Sequence, residues 1–230
     1  GHRTMFGYIG ASRNLGPQDV PDEAICQAQV VHLTGYSLLA ESRRRAFERA
    51  ITLARQAGVP LSLDPGLATC CQARELLYAV LPEMTLVLLD RKEAGHLVQT
   101  DEPRAVIEAL QATGVAWVGV KCGAEGCWLA GPDGHNHWLP AFSVGVQDTT
   151  GAGDAFDAGV LFGYLRQLGP AAMALLGNAL GALACTVWGI GCAMPGRDAV
   201  RRLLQEARAS EPWVQWQPII DQTLHALTSQ

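Results

Sequence analysis

Short β-rich runs alternate with longer helical patterns along the first half of the sequence, and each run has a glycine or an aspartate at its end. This alternation is typical of a parallel sheet whose strands are joined by crossover helices. Ligands of such sheets bind beyond the carboxyl ends of the strands. The predicted strands are 29–35, 59–65, 85–90 and 115–123, and the predicted helices are 41–57, 70–80, 91–98 and 103–112.

The second half of the chain follows a different pattern. Residues 126–140 hold a Gly-Pro-Asp-Gly turn between two strand-like runs, which predicts a hairpin and therefore antiparallel strands at the edge of the sheet. Helices are predicted over 153–168 and near 196–208, followed by a docked tail over 211–230. We expect residues 1–230 to form one α/β domain with a mostly parallel sheet.

Residues 171–194 carry no charged side chain over 24 positions, a length that could span a bilayer. Alanine and glycine dominate the segment, Asn178 interrupts it, and a Gly-Ile-Gly turn breaks it at 189–191. These features favour a buried helix followed by a loop. We therefore expect no membrane association.

Composition and charge exclude other classes of protein. The 230 residues are 49% hydrophobic and 17% charged, which favours a large folded core over disorder. The formal net charge is −5 and the only basic cluster is Arg43-Arg44-Arg45, so a nucleic-acid surface is not expected. Seven cysteines occur without a C-x-x-C pair, and residues 1–20 lack the apolar segment of a signal peptide, which together favour a reducing cytoplasm.

The stretch DTTGAGDAFDAG, residues 148–159, places a glycine-rich turn immediately before an apolar helix. Glycines let the backbone turn sharply and expose several N–H groups where the helix begins, and these amides together with the positive end of the helix dipole make an anion site. Asp154 falls in the first helical turn, where its carboxylate could take a proton from an attacking hydroxyl. The alternative is a structural turn with an acidic residue favoured at a helix start, which would leave Asp148 and Asp157 solvated.

The same residues resemble the second signature of the PfkB (ribokinase-like) carbohydrate kinases, from Asp148 through Asp154 and on to Gly159. The resemblance implies a ribokinase-like three-layer α/β/α fold. It implies that Asp154 is the catalytic base of an ATP-dependent kinase. It also implies that the amides of Gly151, Ala152 and Gly153 form the hole that holds the transferred phosphoryl group.

Other positions resemble the family in the same chain order. VKCGAEG (120–126) is similar to the family's stretch beside the nucleotide, which implies that Lys121, Gly123 and Gly126 lie near ATP, although a plain strand-turn-strand remains open. Asn178 falls where such kinases place a residue against the adenine. Many members of the family bind a monovalent cation such as K⁺. The resemblance implies that Asp148, Thr150 and the carbonyls of the loop at 186–193 form the corresponding site in this chain.

Two motifs depart from the family pattern. DRKE (90–93) resembles the N-x-x-E motif whose glutamate organises Mg²⁺, so Glu93 and Asp90 are the expected Mg²⁺ residues, with aspartate replacing the amide. DPGLA (64–68) resembles the D-x-N-x-R stretch of sugar and keto-sugar-acid kinases, with Gly66 and Ala68 at the Asn and Arg positions. An acidic substrate would thereby lose one clamp.

The beginning of the sequence resembles the middle of the family fold. We therefore expect the first strands, the Gly-Gly signature and the β-stranded lid to be missing, either because the sequence is a fragment or because the product is truncated. A homodimer is expected only where the lid is present. Ribose, fructose, a keto-sugar acid and a nucleoside all stay open as the substrate, with Tyr36 and, less directly, Arg3 or Asn14 as candidate contacts. A catalytically inactive nucleotide-binding protein with a regulatory role is the alternative function.

Overall fold

The computed structural model describes residues 8–228, and its centre is a six-stranded sheet with its strands in sequence order. The first four strands run parallel, and the last two are antiparallel. The mostly parallel sheet and its antiparallel edge are thus confirmed. The strands are β1 Val31–Thr34, β2 Leu61–Asp64, β3 Leu86–Asp90, β4 Trp117–Lys121, β5 Cys127–Ala130 and β6 Asn136–Leu139.

Ten α-helices occur in residues 8–228 and cover both faces of the sheet. Both faces of strand β3 are apolar and need to be covered. Val87 and Leu89 on one face belong to one buried cluster, and Leu86 and Leu88 on the other face belong to the second. Helices α2 to α6 supply the first cluster and α7 to α10 the second, which gives the expected three layers. The helices are α1 Asp22–Cys26, α2 Glu41–Ala57, α3 Leu67–Gln72, α4 Arg74–Val80, α5 Arg91–Leu97, α6 Pro103–Gln111, α7 Ala152–Leu165, α8 Pro170–Ala184, α9 Arg197–Arg208 and α10 Gln217–Thr228.

Two sequence-based boundaries need correction, and the predicted docked tail is helical. The single helix predicted over 70–80 is two helices, α3 and α4, because Ala73 leaves the helical region with φ −141° and ψ 38°. The strand predicted over 115–123 ends at Lys121, since Gly123 takes a positive φ of 59° and opens a short 3₁₀ turn. The tail contains a regular helix, α10, which buries Ile220 and Leu227 against the second core cluster.

The uncharged segment 171–194 forms most of α8 and the loop that follows it. Pro170 occupies the first helical position, and the side chains from Ala172 to Ala179 are all buried. Among the helices of residues 8–228, none combines the length and the apolarity that a bilayer crossing needs. The apolar composition of α8 reflects its central place in the second layer.

Helices α7 and α8 pack closely because glycines face one another across the contact. A Cβ atom added at Gly159 would lie 2.5 Å from the Leu176 carbonyl oxygen and 2.8 Å from the Gly177 nitrogen. A Cβ atom at Gly177 would lie 2.7 Å from the ring of Phe156. Since the obstacle at Gly159 is backbone, no side-chain rotation can relieve the overlap.

Gly159→Ala should therefore destabilise the protein, by about 1–3 kcal/mol from overpacking, despite the higher helix propensity of alanine. Gly95→Ala in α5 is the matched control, because a Cβ atom there meets nothing within 4 Å. That control should gain about 0.5–1 kcal/mol. Urea denaturation of both variants measures the difference, and equal effects would show that α7 and α8 do not touch at Gly159.

Candidate active site

Charged side chains from three elements meet at the carboxyl edge of the parallel strands. The parallel register places Asp64, Asp90 and Lys121 at the ends of neighbouring strands. The Lys121 ammonium nitrogen lies 2.9 Å from Asp64 Oδ2 and 3.1 Å from Asp157 Oδ1. Asp157 belongs to α7, so one lysine connects the ends of β2 and β4 with a helix of the second layer.

Burial sets the electrostatics of this bridge. It raises the pKa of Asp157 well above the usual range, against the attraction of Lys121. Burial would also raise the pKa of Asp64, but the charge and hydrogen bond of Lys121 outweigh it and lower that pKa. For Lys121, burial alone would lower the pKa, and the two aspartates outweigh it and raise the pKa. The ammonium therefore stays charged at neutral pH.

The glycine-rich loop begins α7 as its sequence predicts. Gly151 is the residue before the helix and takes a left-handed φ of 76°, which glycine adopts without strain. Asp154 lies in the first turn and is exposed. The N–H of Ala152 donates to the Thr149 carbonyl at 3.3 Å, so this amide already has a partner within the loop.

A cleft of about 560 Å³ opens beside this loop. Its volume falls within the range of small-molecule sites. Part of its wall is apolar and consists of the side chains of Phe142, Val144 and Val146. Six residues that the sequence assigned to the nucleotide or the phosphoryl group line it: Lys121, Gly123, Gly126, Ala152, Gly153 and Asn178.

Two of these residues also have structural roles in the wall. The Asn178 side-chain amide donates to the carbonyls of Leu139 and Pro140 at 3.1 and 2.9 Å, which fixes the chain after β6. Gly126 has a φ of 98°, and a Cβ atom there would lie 1.9 Å from the Leu139 carbonyl oxygen. Asn178 thus ties the end of β6 to α8, and Gly126 leaves the space for the Leu139 carbonyl to approach the turn after β4.

Asp90 and Glu93 form a capping box at the start of α5. Asp90 Oδ1 accepts from the Glu93 N–H at 2.8 Å, and Glu93 Oε2 accepts from the Asp90 N–H at 2.8 Å. Glu93 is only 8% exposed, and its burial, with the nearby Asp64 carboxylate, raises its pKa to about 7. Aspartate caps this helix as asparagine would, which gives Asp90 a structural role.

The donor set of this box fits Mg²⁺ bound with a nucleotide. Carboxylate oxygens are the ligands that Mg²⁺ prefers, and Mg²⁺ usually keeps water and phosphate oxygens as its other ligands. Among residues 8–228, no three His, Cys, Asp or Glu side chains cluster as a complete metal cage. Asp90 and Glu93 could thus contribute to a Mg²⁺ site that phosphates and water complete.

Asp148 connects the glycine-rich loop to the loop that follows α8. Its Oδ1 accepts from the Thr150 N–H at 2.9 Å and from the Thr150 hydroxyl at 2.7 Å. Its Oδ2 accepts from the Gly189 N–H at 3.4 Å. These contacts bring together the residues that the sequence assigned to a monovalent cation, and they orient the carboxylate within the loop.

Tyr36 lies at the same edge, directly after β1. Its ring covers Gly66, where an added Cβ atom would lie 2.8 Å from the ring. Gly66 thus leaves the space that Tyr36 fills, and Tyr36 as a whole remains 45% exposed. Asn14 ends an exposed 3₁₀ turn, and Arg3 lies outside the described residues.

Sequence reasoning missed the role of Asp157. The solvated position allowed for it was wrong, because the residue is 1% exposed. A signal was available, since Asp157 lies three residues after Asp154 between Phe156 and the small residues that pack α7 on α8. An aspartate on the buried side of an apolar helix requires a partner.

The sequence also matches a known protein family. The family model described as pfkB family carbohydrate kinase matches residues 1–195. The chain belongs to the pfkB carbohydrate kinase family.

Curated relatives of this pfkB protein are sugar kinases by name. It is 30% identical over 225 residues to fructokinase-1 of Zea mays, covering 90% of this chain and 68% of the relative. Identity is also 30% to the 2-dehydro-3-deoxygluconokinase of Thermoproteus tenax, with 85% and 61% coverage. An uncharacterized sugar kinase of Archaeoglobus fulgidus is 29% identical, with 72% and 64% coverage. The chain therefore spans roughly three fifths to two thirds of these relatives' lengths.

Solved structures share the fold. An E. coli protein described as a ribokinase II, in complex with ATP and Mg²⁺, superposes with a TM-score of 0.80 at 23% identity, covering 88% of this chain and 67% of that one. Fructokinase from Vibrio cholerae O395, in a form with fructose, ADP and calcium bound, gives a TM-score of 0.73 at 24% identity, with 84% and 65% coverage. The ribokinase-like fold is confirmed.

Proposed function

We propose that this pfkB protein transfers the γ-phosphoryl group of ATP to a hydroxyl of a sugar or sugar-like acceptor. The observation that carries the proposal is the position of Asp154, exposed in the first turn of α7 directly after the glycine loop that borders the cleft. A carboxylate and a set of helix-start amides at one point are two of the groups that such a transfer uses.

In the proposed reaction, ATP occupies the cleft with its phosphates toward the loop. The amides of Gly151, Ala152 and Gly153 would donate to the oxygens of the transferring group, which requires the Ala152 N–H to leave the Thr149 carbonyl or share it. Asp154 would take the proton of the acceptor hydroxyl. The acceptor oxygen would then bond to the γ-phosphorus while the bond between that phosphorus and the ADP oxygen breaks. Mg²⁺, held by Asp90 and Glu93 through water or phosphate oxygens, would neutralise phosphate charge.

The relatives support a sugar as the acceptor. The Zea mays relative is named a fructokinase, and the Thermoproteus tenax relative acts on 2-dehydro-3-deoxygluconate by name. Aminoimidazole riboside kinase from Salmonella enterica, solved with its riboside and an ATP analog, is 25% identical with a TM-score of 0.73. Ketose, sugar acid and riboside are thus the acceptor classes to compare. K⁺ near Asp148 and Thr150 is part of the same proposal.

We further propose a reducing, cytoplasmic location. Each of the seven cysteines lies within residues 8–228 and is free, although Cys70 and Cys71 are neighbours in the chain. Free thiols in this number are typical of proteins in a reducing compartment.

ADP release tests the proposed activity. The protein, with Mg²⁺ and ATP, is offered fructose, ribose, 2-dehydro-3-deoxygluconate and a riboside in a coupled assay, and release above the acceptor-free rate with at least one of them is the expected result. The departures from the family pattern at Asp90, Gly66 and Ala68 make an inactive nucleotide-binding protein the second candidate function. ATP binding by calorimetry without turnover of any acceptor would favour that candidate and overturn the first.

A further inference from the structure

We propose that Lys121 and Asp157 are positioning residues: the bridge Asp64–Lys121–Asp157 fixes the first turn of α7 on the sheet edge and so holds the glycine loop and Asp154 in register with the cleft. The inference rests on the proposed phosphoryl transfer. It assigns to Lys121 a role other than direct contact with ATP.

The contacts converge from distant parts of the chain. Asp64 and Asp157 lie 57 and 36 residues from Lys121 in sequence, yet both are within hydrogen-bond distance of its ammonium group. The Lys121 side chain is 12% exposed and that of Asp157 is 2% exposed. The bridge is therefore inside the protein, where solvent screens it little.

The bridge acts close to the reacting groups. Asp157 follows Asp154 by three residues, so the two carboxylates lie on neighbouring turns of α7. Fixing the rotation of α7 at Asp157 therefore fixes the direction of Asp154. The Lys121 nitrogen also lies 3.7 Å from the position that a Cβ atom would take at Gly153. Its charge thus lies close to the start of α7 and adds positive potential where a phosphoryl group would bind.

Stability alone does not account for this arrangement. A buried ion pair such as Asp64–Lys121 is often no more stabilising than apolar residues of similar volume, because both charges lose hydration. The better-attested use of such pairs is to select one geometry among several. At the edge of a cleft, the geometry selected here is that of α7 relative to β2 and β4.

The test compares two substitutions of the same residue. Asp157→Leu keeps the branched shape of the side chain, with methyl groups larger than the carboxylate oxygens, and removes the contact with Lys121, which remains paired with Asp64. Asp157→Asn keeps an oxygen acceptor for the lysine. We expect Asp157→Leu to lower kcat on the order of 100-fold, with the KM for ATP changed less than about threefold. Asp157→Asn should restore kcat to within about fivefold of the wild type.

Asp221→Leu is the control, because it removes the Arg208–Asp221 ion pair between α9 and α10, away from the cleft. Its kcat should equal that of the wild type. A merely structural bridge would lower the melting temperature of Asp157→Leu and leave kcat per folded molecule unchanged, and that result would overturn the inference. Asp157→Ser, which is too short to reach Lys121, serves if the leucine variant does not fold.

Amide hydrogen exchange separates this inference from the proposed function. Exchange in residues 153–157 should be at least about tenfold faster in Asp157→Leu than in the wild type, and unchanged in Asp157→Asn. Unchanged exchange in the leucine variant would overturn the bridge even in a protein that phosphorylates sugars. A wild type that turns over no acceptor would overturn the proposed function, while the exchange result would still decide whether the bridge positions α7.

Discussion

Replacing Asp154 with asparagine should lower kcat for sugar phosphorylation by about 10³-fold, within the usual range for a general base. Asparagine has nearly the same shape and keeps the exposed first-turn position, but it cannot take a proton from the acceptor hydroxyl. The cleft and the loop amides are unchanged, so the dissociation constant for ATP should change less than about threefold. Steady-state kinetics and calorimetry measure the two quantities.

Asp198→Asn is the matched control for this experiment. Asp198 is also an exposed aspartate in the first turn of a helix, α9, and its side chain is 82% exposed. Any general effect of removing a carboxylate from a helix start appears equally in both variants. An Asp154→Asn enzyme that retains kcat within about tenfold of the wild type would show that another group accepts the proton.

Glu93→Gln should increase stability and reduce Mg²⁺-dependent activity at the same time. In the folded protein the pKa of Glu93 is about 7, against 4.5 in an unfolded chain. As the pH rises, the unfolded chain loses this proton first, so Glu93 lowers the free energy of unfolding progressively between those two pH values. The loss amounts to roughly 1–3 kcal/mol above pH 7, and glutamine avoids it while still accepting the Asp90 N–H.

Urea denaturation without divalent cations measures this effect. Near pH 4 the carboxyl group is neutral in both states, so the two proteins should have nearly equal free energies of unfolding. Near pH 8 the glutamine variant should be more stable by roughly 1–3 kcal/mol, and its half-saturating Mg²⁺ concentration should rise on the order of tenfold. A difference in stability that is the same at both pH values would contradict the raised pKa.

Local pattern predicted much of the fold. Helix α2 begins and ends at the predicted residues, since a 17-residue amphipathic pattern ends at Gly58, whose φ of 68° closes the helix. The alternation of strands and helices predicted the parallel sheet, because parallel neighbours need a long crossover connection, which is usually a helix. The helix break at Ala73 carried no such signal, as neither glycine nor proline marks it.

The sequence by itself determined the glycine-rich turn, the helix that follows it and the position of Asp154 in its first turn, because these depend on backbone preferences within a few residues. Tertiary structure alone decided what Lys121 contacts. Its partners lie 57 and 36 residues away, and the register of β2 with β4 and the packing of α7 bring them within 3.2 Å. Burial around Lys121 then shifts the pKa values of Asp64, Lys121 and Asp157, because the apolar surroundings and the shared lysine exist only once the chain has folded.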